Sequence, residues 1–404
     1  MNYFIIAWRN LWRNRRRTLI TVASIFFGVL FATVMNSLQD GTYANMIDMM
    51  VKLSTGYLQV QDPEYRENRS INRIFYPDED LMKGIENIDK VTTVAKRIET
   101  FALISSGPNT RGGAVVGFEP DKDSETSNLA NWISHGNFIR KGDEGVLVTI
   151  NIAKHLDLDV NDTIILISQG YRGVTAAGKY PILGILTFST PQMNNLGIFM
   201  DIDLASELFS TDGMITSLMV IVDDYKNVGQ VRAEMEEMTG ELVIADWKEL
   251  NPELVNFIES DKAGGVLMLG ILYIVIGFGI FGTIIMMVAE RRRELAVMVA
   301  VGMQKYRLGV MLFLETFFIG LTGVILGFAG SVPVIFALLE NPIKLPADLA
   351  EAYLQYGFEP YLFFGTSLHV FTNQVITVFI ITMVISIYPM AKVKNLVVSK
   401  SLRE

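Results

Sequence analysis

The chain has no cysteine and only three histidines among its 404 residues. The absence of cysteine excludes disulfides, thiolate metal sites and a lipid-bearing cysteine near the N-terminus. The histidines, His135, His155 and His369, stand far apart and lack the spacing of metal-ligand motifs. We therefore expect this chain to bind no metal and no cofactor, and to carry no catalytic residue.

Charge is also missing from long stretches of the sequence. No charged residue occurs between Ala263 and Ala289, a run long enough to cross a bilayer core of about 30 Å at about 1.5 Å per residue. Half of all residues are hydrophobic, and four runs concentrate them. The predicted transmembrane helices are residues 19–38, 263–289, 309–339 and 374–391.

The two signs of charge are separated along the chain. Residues 1–18 contain no acidic residue, and residues 340–373 contain only one basic residue, Lys344. Basic clusters occupy residues 1–18, 290–308 and 392–404. Because cytoplasmic flanks are enriched in Lys and Arg, we predict a multi-pass protein of the inner membrane with both termini in the cytoplasm. Residues 340–373 then form an extracytoplasmic loop, and residues 392–404 a cytoplasmic tail.

The N-terminal segment favours an uncleaved membrane anchor over a signal peptide. Trp8 and Trp12 lie about one helical turn apart beside arginines, which predicts an amphipathic helix on the cytoplasmic surface for residues 1–18. The apolar run that follows ends without a convincing small-residue cleavage site.

Residues 39–262 have the composition of a soluble domain. They hold 35 acidic and 19 basic residues, which argues against a nucleic acid partner. Alternating apolar segments predict strands, and the segments at about 39–53 and 250–262 keep a helical rhythm. The predicted fold class is therefore an α-helical membrane protein with four transmembrane helices and an inserted α+β extracytoplasmic domain on helical stalks.

One segment of this domain imitates a phosphate-binding loop. Gly173-Val-Thr-Ala-Ala-Gly178-Lys179 matches the first seven positions of a P-loop, but Tyr180 stands where that motif needs a Ser or Thr hydroxyl for Mg²⁺. The segment also lies in the predicted extracytoplasmic domain, away from ATP. We predict a glycine-bearing loop between two strands and no nucleotide site.

The connection between the second and third spans, residues 290–308, combines a short apolar helix with basic flanks. Glu294 near the helix start and Gly302 at its end delimit a discrete element. This pattern fits a docking element for a soluble partner. A helix resting on the lipid surface is the alternative.

The third span carries one acidic residue, Glu315. A carboxylate is costly inside a membrane, so we expect Glu315 to face protein in a structural or coupling role; snorkelling to the nearby interface is the alternative. Small residues at helical spacing predict a close helix contact, either within the chain or with a second copy. They are Gly320, Gly323, Gly327 and Gly330.

The segment from Arg292 to Gly302 resembles the coupling helix of FtsX/MacB-type ABC permeases. Glu315 falls where that family commonly has a glutamate. The segment departs from the family pattern at Ala296, where glycine is usual, and at Val299, where a basic residue is common.

The predicted external domain is similar to the periplasmic core of the same family. The similarity lies in Gly117-Phe-Glu-Pro120, Gly145-Val-Leu-Val-Thr149 and Val160-Asn-Asp162. One span, a large inserted domain and three further spans complete the family layout, so the resemblance covers the whole chain. The lipoprotein-releasing permeases of LolC/LolE type are the most similar branch.

The resemblance implies a non-catalytic subunit that transmits mechanical work. A separate cytoplasmic ABC ATPase dimer would use ATP and Mg²⁺ and would dock on the connection. The other implied partners are a second permease copy or a paralogue, a periplasmic adaptor or carrier, and membrane lipids or lipoproteins.

Within the implied ATPase dock, three apolar residues supply packing and the others form a polar rim or a helix stop. The packing residues are Leu295, Met298 and Met303. The remaining residues are Arg293, Glu294, Gly302 and Arg307.

Release of lipoproteins from the inner membrane is the function that the resemblance favours. Export of a peptide or drug with a periplasmic adaptor is the alternative within the family. A membrane-anchored sensor or scaffold without an ATPase is the alternative outside it.

Overall fold

The computed structural model describes residues 3–13, 15–188, 193–355 and 360–394. The chain forms two compact units. The helical unit comprises residues 1–43, 258–344 and 361–404, and the α+β unit comprises residues 44–257 and 345–360. Residues 395–404, most of the predicted cytoplasmic tail, lie outside the described residues.

The helices of the described residues are numbered in chain order. They are α1 (Tyr3–Arg13), α2 (Arg15–Ser54), α3 (Glu79–Glu86), α4 (Ile150–Leu156), α5 (Ile202–Phe209), α6 (Val228–Glu236), α7 (Trp247–Leu250), α8 (Pro252–Glu290), α9 (Arg292–Ala300), α10 (Lys305–Glu340), α11 (Ala347–Gln355) and α12 (Leu368–Lys394).

The strands are numbered in the same way. They are β1 (Leu58–Gln61), β2 (Val91–Ser106), β3 (Asn109–Phe118), β4 (Ile133–Gly136), β5 (Val146–Thr149), β6 (Thr163–Gln169), β7 (Thr175–Leu186), β8 (Gly197–Asp201), β9 (Ser217–Val222), β10 (Val243–Asp246), β11 (Ile343–Lys344) and β12 (Tyr361–Leu362).

Within the described residues, four helices are long and apolar enough to cross a membrane, which confirms the predicted four spans: α2, α8, α10 and α12. The first three have 36 to 40 residues, well beyond the ~20 that a bilayer core requires. Each therefore contains its predicted span and continues past it at one or both ends. Helix α1 and the first residues of α2 both lie within the predicted segment 1–18.

The predicted loop 340–373 contains ordered elements. Strands β11 and β12 pair antiparallel, with Ile343 opposite Leu362, and α11 lies between them in sequence. Helix α12 begins at Leu368, six positions before the predicted span, and its first turn includes His369. Residues 356–359 of this segment lie outside the described residues.

The four glycines of α10 that were predicted as a contact face lie at helix contacts within the chain. A Cβ added at Gly323 would lie 2.7 Å from Ile25 of α2, and one at Gly320 would lie 2.7 Å from Thr382 of α12. Gly327 faces Val29 and Gly330 faces Phe26, both in α2. Because these glycines have no side chain, the backbone of α10 approaches its two neighbours closely. In the structure these four glycines therefore make contacts within the chain, which is one of the two predicted alternatives.

The α+β unit is built on a closed ring of six strands. Strand β2 pairs with β3, β3 with β8, β8 with β5, β5 with β7, β7 with β6, and β6 returns to β2. The β3–β8 and β5–β7 pairs are parallel and the others antiparallel, so the sheet is mixed. The first half of β2 also pairs with β9, which continues the sheet through β1 to β10.

The segment that imitates a P-loop is a strand, so the predicted loop is wrong from Thr175 onward. Gly178 pairs with Leu166 of β6, and Lys179 pairs with Ile165. In a β-ladder the backbone N–H groups point sideways in the plane of the sheet, toward the neighbouring strands. A phosphate-binding loop needs several N–H groups that point toward one anion.

Helix α3 was not predicted from the sequence. The side chain of Asp78 caps it by accepting a hydrogen bond from the Asp80 N–H at 3.1 Å, and Glu79 and Asp80 occupy its first turn. An aspartate before two acidic residues is an N-terminal signal. The signal was available in the sequence, but it lies within a strongly charged stretch.

Candidate functional site

The connection between α8 and α10 forms a short helix with a defined stop. Gly302 has φ of +102°, a conformation that favours glycine. The N–H of Gly302 donates to the Val299 carbonyl and the N–H of Met303 donates to the Met298 carbonyl, both at 3.0 Å. This pair of bonds is a Schellman motif, so Gly302 turns the chain from α9 toward α10.

The inner side of α9 packs against the chain itself. Leu295 is fully buried in a cluster with Leu308, Met311 and Leu312 of α10 and Val393 of α12. This placement corrects the predicted role of Leu295 as a contact residue for a partner, because its side chain already fills an intramolecular core. Leu295 instead fixes α9 to α10 and α12.

The outer side of the connection is exposed and partly apolar. Val301 is 84% exposed, Tyr306 71% and Val297 46%. A shallow groove of about 550 Å³ crosses this side. It is lined by Val297, Met298, Val301, Gly302, Met303, Gln304 and Arg307. Four of the predicted dock residues therefore share one groove, while Arg293 and Glu294 lie exposed outside its lining.

A buried ion pair joins the start of the connection to α10. Arg291 Nη1 donates to both carboxylate oxygens of Glu315, at 2.7 and 2.6 Å. The two side chains are only 8% and 6% exposed. A carboxylate that is this deeply buried in protein needs a charged partner, because an unpaired charge is costly away from water. The pair places Glu315 against protein and ties the end of α8 to α10.

The amphipathic helix α1 also reaches the connection. Arg13 Nη2 lies 2.5 Å from Glu294 Oε2, and both side chains are more than half exposed. On the other side of α1, the Trp8 ring meets Phe318 of α10 edge to face at 5.6 Å between centroids. Glu294, predicted as part of the polar rim, is thus shared with the N-terminal helix.

Sequence reasoning missed Arg291, Val297 and Val301 as site residues. Arg291 stood out only as one of the basic flanks, although it directly follows Glu290 at the end of the charge-free span. Sequence reasoning had only the spacing of apolar residues to assign the sides of α9. Because this short helix is apolar on several sides, the spacing does not show which side faces the core and which is exposed.

Family models match nearly the whole chain. Residues 18–238 match the MacB-like periplasmic core domain, and residues 266–398 match the FtsX-like permease C-terminal model. The chain belongs to the FtsX/MacB-type ABC permease family. The connection and Glu315 of this permease lie within the FtsX-like match, and strands β1 to β9 lie within the MacB-like match.

Similar proteins carry permease names. The permease is 20% identical to the lipoprotein-releasing system transmembrane protein LolC of Neisseria meningitidis, over 77% of this chain and 75% of LolC. It is 22% identical to an ABC transporter permease of Methanocaldococcus jannaschii, over 80% of each chain. It is 20% identical to the macrolide export ATP-binding/permease protein MacB of Azoarcus, over 85% of this chain and 54% of MacB. The permease therefore spans about half the length of that relative.

Proposed function

We propose that this permease is a mechanotransmission subunit whose connection is moved by a separate cytoplasmic ABC ATPase dimer. The observation that supports this proposal is the two-sided construction of the connection. Its outer groove is exposed and has basic and apolar residues, whereas its inner side is fixed to α10 by Leu295 and by the Arg291–Glu315 pair. A push on the outer side is thereby delivered to α8 and α10.

The proposed orientation has both termini and the connection in the cytoplasm. The connection and the N-terminal segment are strongly basic, whereas residues 340–373 carry one lysine against four acidic residues. Lys and Arg near span ends favour the cytoplasmic side. With four spans, a single orientation satisfies all of these segments.

The proposed work is extraction of lipoproteins from the inner membrane, delivered to a periplasmic carrier. The name of the Neisseria relative supports this substrate, since that relative and this chain match over three quarters of both. Efflux with a periplasmic adaptor is the second candidate, and the MacB relative supports it with the same identity. Either function would use a second permease copy or a paralogue.

The test uses the full chain in nanodiscs, purified with its proposed ATPase and assayed for vanadate-sensitive turnover. We expect the double variant Val297→Asp plus Val301→Asp to lose ATPase association and stimulation, because two charges would enter the apolar part of the groove. Val174→Asp, at a half-exposed valine of the α+β unit, is the matched control and should leave turnover unchanged.

Recovery of the ATPase with the double variant at wild-type level would refute docking at this groove. The substrate is decided separately in proteoliposomes. Transfer of a lipidated reporter protein to a soluble carrier would support lipoprotein release, whereas ATP-dependent movement of a soluble dye or peptide without such transfer would favour efflux.

A further inference from the structure

The α+β unit contains a recess that the coupling proposal does not use. Its volume is about 290 Å³, and an open groove of about 580 Å³ adjoins it, sharing Phe101, Ala114, Asn195 and Leu196 with it. Phe101 is 62% exposed. Recesses that bind small molecules have this size and combine apolar walls with a few polar groups.

The walls of the recess are largely apolar. Five of the residues that supply them are Leu53, Phe101, Val116, Leu196 and Phe199. Farther along the adjoining groove, Leu103 and Ile167 stand opposite each other on β2 and β6 and are about half exposed. An apolar chain that entered the recess could therefore extend along the groove and remain in contact with nonpolar side chains.

The polar end of the recess holds a buried guanidinium, Arg97, whose side chain is 3% exposed. Arg97 Nη1 donates to the Ser54 carbonyl at 3.0 Å, and Nη2 donates to the Ser127 hydroxyl. Two carboxylates act on this cation, those of Glu99 and Asp123. The buried cation therefore faces two carboxylates, and the exposed Arg69 also acts on Glu99.

The two carboxylates are not equally satisfied. Asp123 accepts hydrogen bonds from the Leu129 and Ala130 N–H groups at 2.9 and 3.1 Å. The Glu99 carboxylate lines the recess and lies 3.8 Å from Arg97 Nη1, beyond hydrogen-bonding distance, with 22% of its side chain exposed. Burial raises the pKa of Glu99, against the opposing effects of Arg97 and Arg69. Glu99 is thus the group that a ligand's donor would satisfy.

We propose that the recess binds an amphiphilic amine, with the protonated amine on Glu99 and the apolar chain along Phe101 and Leu196. The Glu99 carboxylate, which lies beyond hydrogen-bonding distance of Arg97, and the apolar walls select this class of ligand. Arg69, which lies exposed among the residues lining the recess, is the competing cation for Glu99. Its removal should favour an amine and disfavour an anion, so the sign of that effect identifies the ligand charge.

The test is isothermal titration calorimetry of the full permease in phosphatidylcholine nanodiscs, with empty nanodiscs as the blank. The probes are octylamine, octanol and octanoate, which share one apolar chain and differ in charge. We expect octylamine to bind most tightly. Glu99→Gln should weaken octylamine binding about tenfold or more, the range for a hydrogen bond to a charged group, and should leave octanol binding unchanged. Arg69→Gln should tighten octylamine binding.

The exposed acid Glu237, on the surface of the same unit, gives the control Glu237→Gln, which should change no affinity. Tightest binding of octanoate, weakened by Arg69→Gln, would overturn the amine assignment in favour of an anionic amphiphile. Absence of saturable heat with all three probes would overturn the site.

A second measurement uses only the wild-type permease, so it tests the site even if the Glu99 variant does not fold. A diazirine-bearing alkylamine should label Phe101, Leu196 or Phe199 of the wild-type permease, and excess octylamine should displace it; labelling elsewhere only would refute the recess. Binding is measured without ATPase, so its outcome is independent of docking at the connection.

Discussion

Replacing Glu315 with leucine should destabilise the helical unit strongly. Among the described residues, the change leaves the Arg291 guanidinium, 6% exposed as a residue, with the half-exposed Glu294 carboxylate, which lies 3.5 Å from its Nε, as its ion-pair partner. Breaking a buried pair by removing one partner costs about 3–5 kcal/mol. The unfolding equilibrium constant should therefore rise by roughly two to four orders of magnitude.

Two further variants test whether the loss of stability arises because a buried charge is left unpaired. In the double variant Arg291→Leu plus Glu315→Leu no charge is left unpaired, so the loss should be much smaller than for Glu315→Leu alone. Arg13→Ala removes the Arg13–Glu294 ion pair, whose two side chains are more than half exposed. Exposed pairs contribute about 0–1 kcal/mol, so this variant should remain close to wild type.

The assay is reversible unfolding in mixed micelles with increasing dodecyl sulfate, followed by circular dichroism at the helical band. A loss for Glu315→Leu no larger than for Arg13→Ala would refute the argument that burial decides the strength of the pair. A double variant less stable than Glu315→Leu would refute the unpaired-charge explanation.

Two further predictions concern glycines and use the same unfolding assay. Gly323→Ala should cost about 1–3 kcal/mol by overpacking against Ile25. At the control position Gly264 an added Cβ meets no atom within 4 Å, so Gly264→Ala should be neutral or stabilising because alanine favours helix. Equal effects of the two changes would contradict the packing argument. Gly302→Ala should cost about 1–3 kcal/mol through strain at its positive φ and should reduce ATPase stimulation; wild-type values in both measurements would show that the Schellman turn does not require glycine.

The four spans were predictable because an apolar run of membrane length with at most one charged residue has few other structural solutions. The glycines of α10 were predictable as a contact face but not as a contact with a particular partner. Nothing local distinguishes Gly323 packing on Ile25 of the same chain from Gly323 packing on a second copy. That choice depends on where α2 lies, which is a property of the whole fold.

The α+β unit shows a similar limit. Alternating apolar segments predicted strands in this part of the chain, and β1 to β10 lie there. The closed ring was not predicted, because it depends on β6 reaching β2 through three register pairs, Leu103 with Ile167, Ile104 with Leu166, and Ser105 with Ile165. Local alternation defines the two faces of a strand but does not identify its neighbour.

The connection was located correctly as a helix between two spans. Which of its residues face the core and which are exposed was predicted only in part. Leu295 and Val301 are both apolar residues of one short segment, yet Leu295 is fully buried and Val301 is 84% exposed. Arg291 could have been paired with Glu315 only by knowing that α8 and α10 meet at that level. The sequence predicts the chemistry of these residues, and tertiary packing decides which of them reach a partner.

The pairing of β1 sets a constraint on how the α+β unit folds. Leu58 of β1 is opposite Asp246 of β10 and Val220 of β9, so the strand synthesised first is completed by strands synthesised last. The separation of about 190 positions corresponds to roughly 10–40 s of synthesis at ~5–20 residues per second. Both edges of β1 lack their strand partners until β9 is synthesised, about 160 positions after Leu58. This high contact order slows folding and prolongs the time for which the unpaired edges of β1 are open to aggregation.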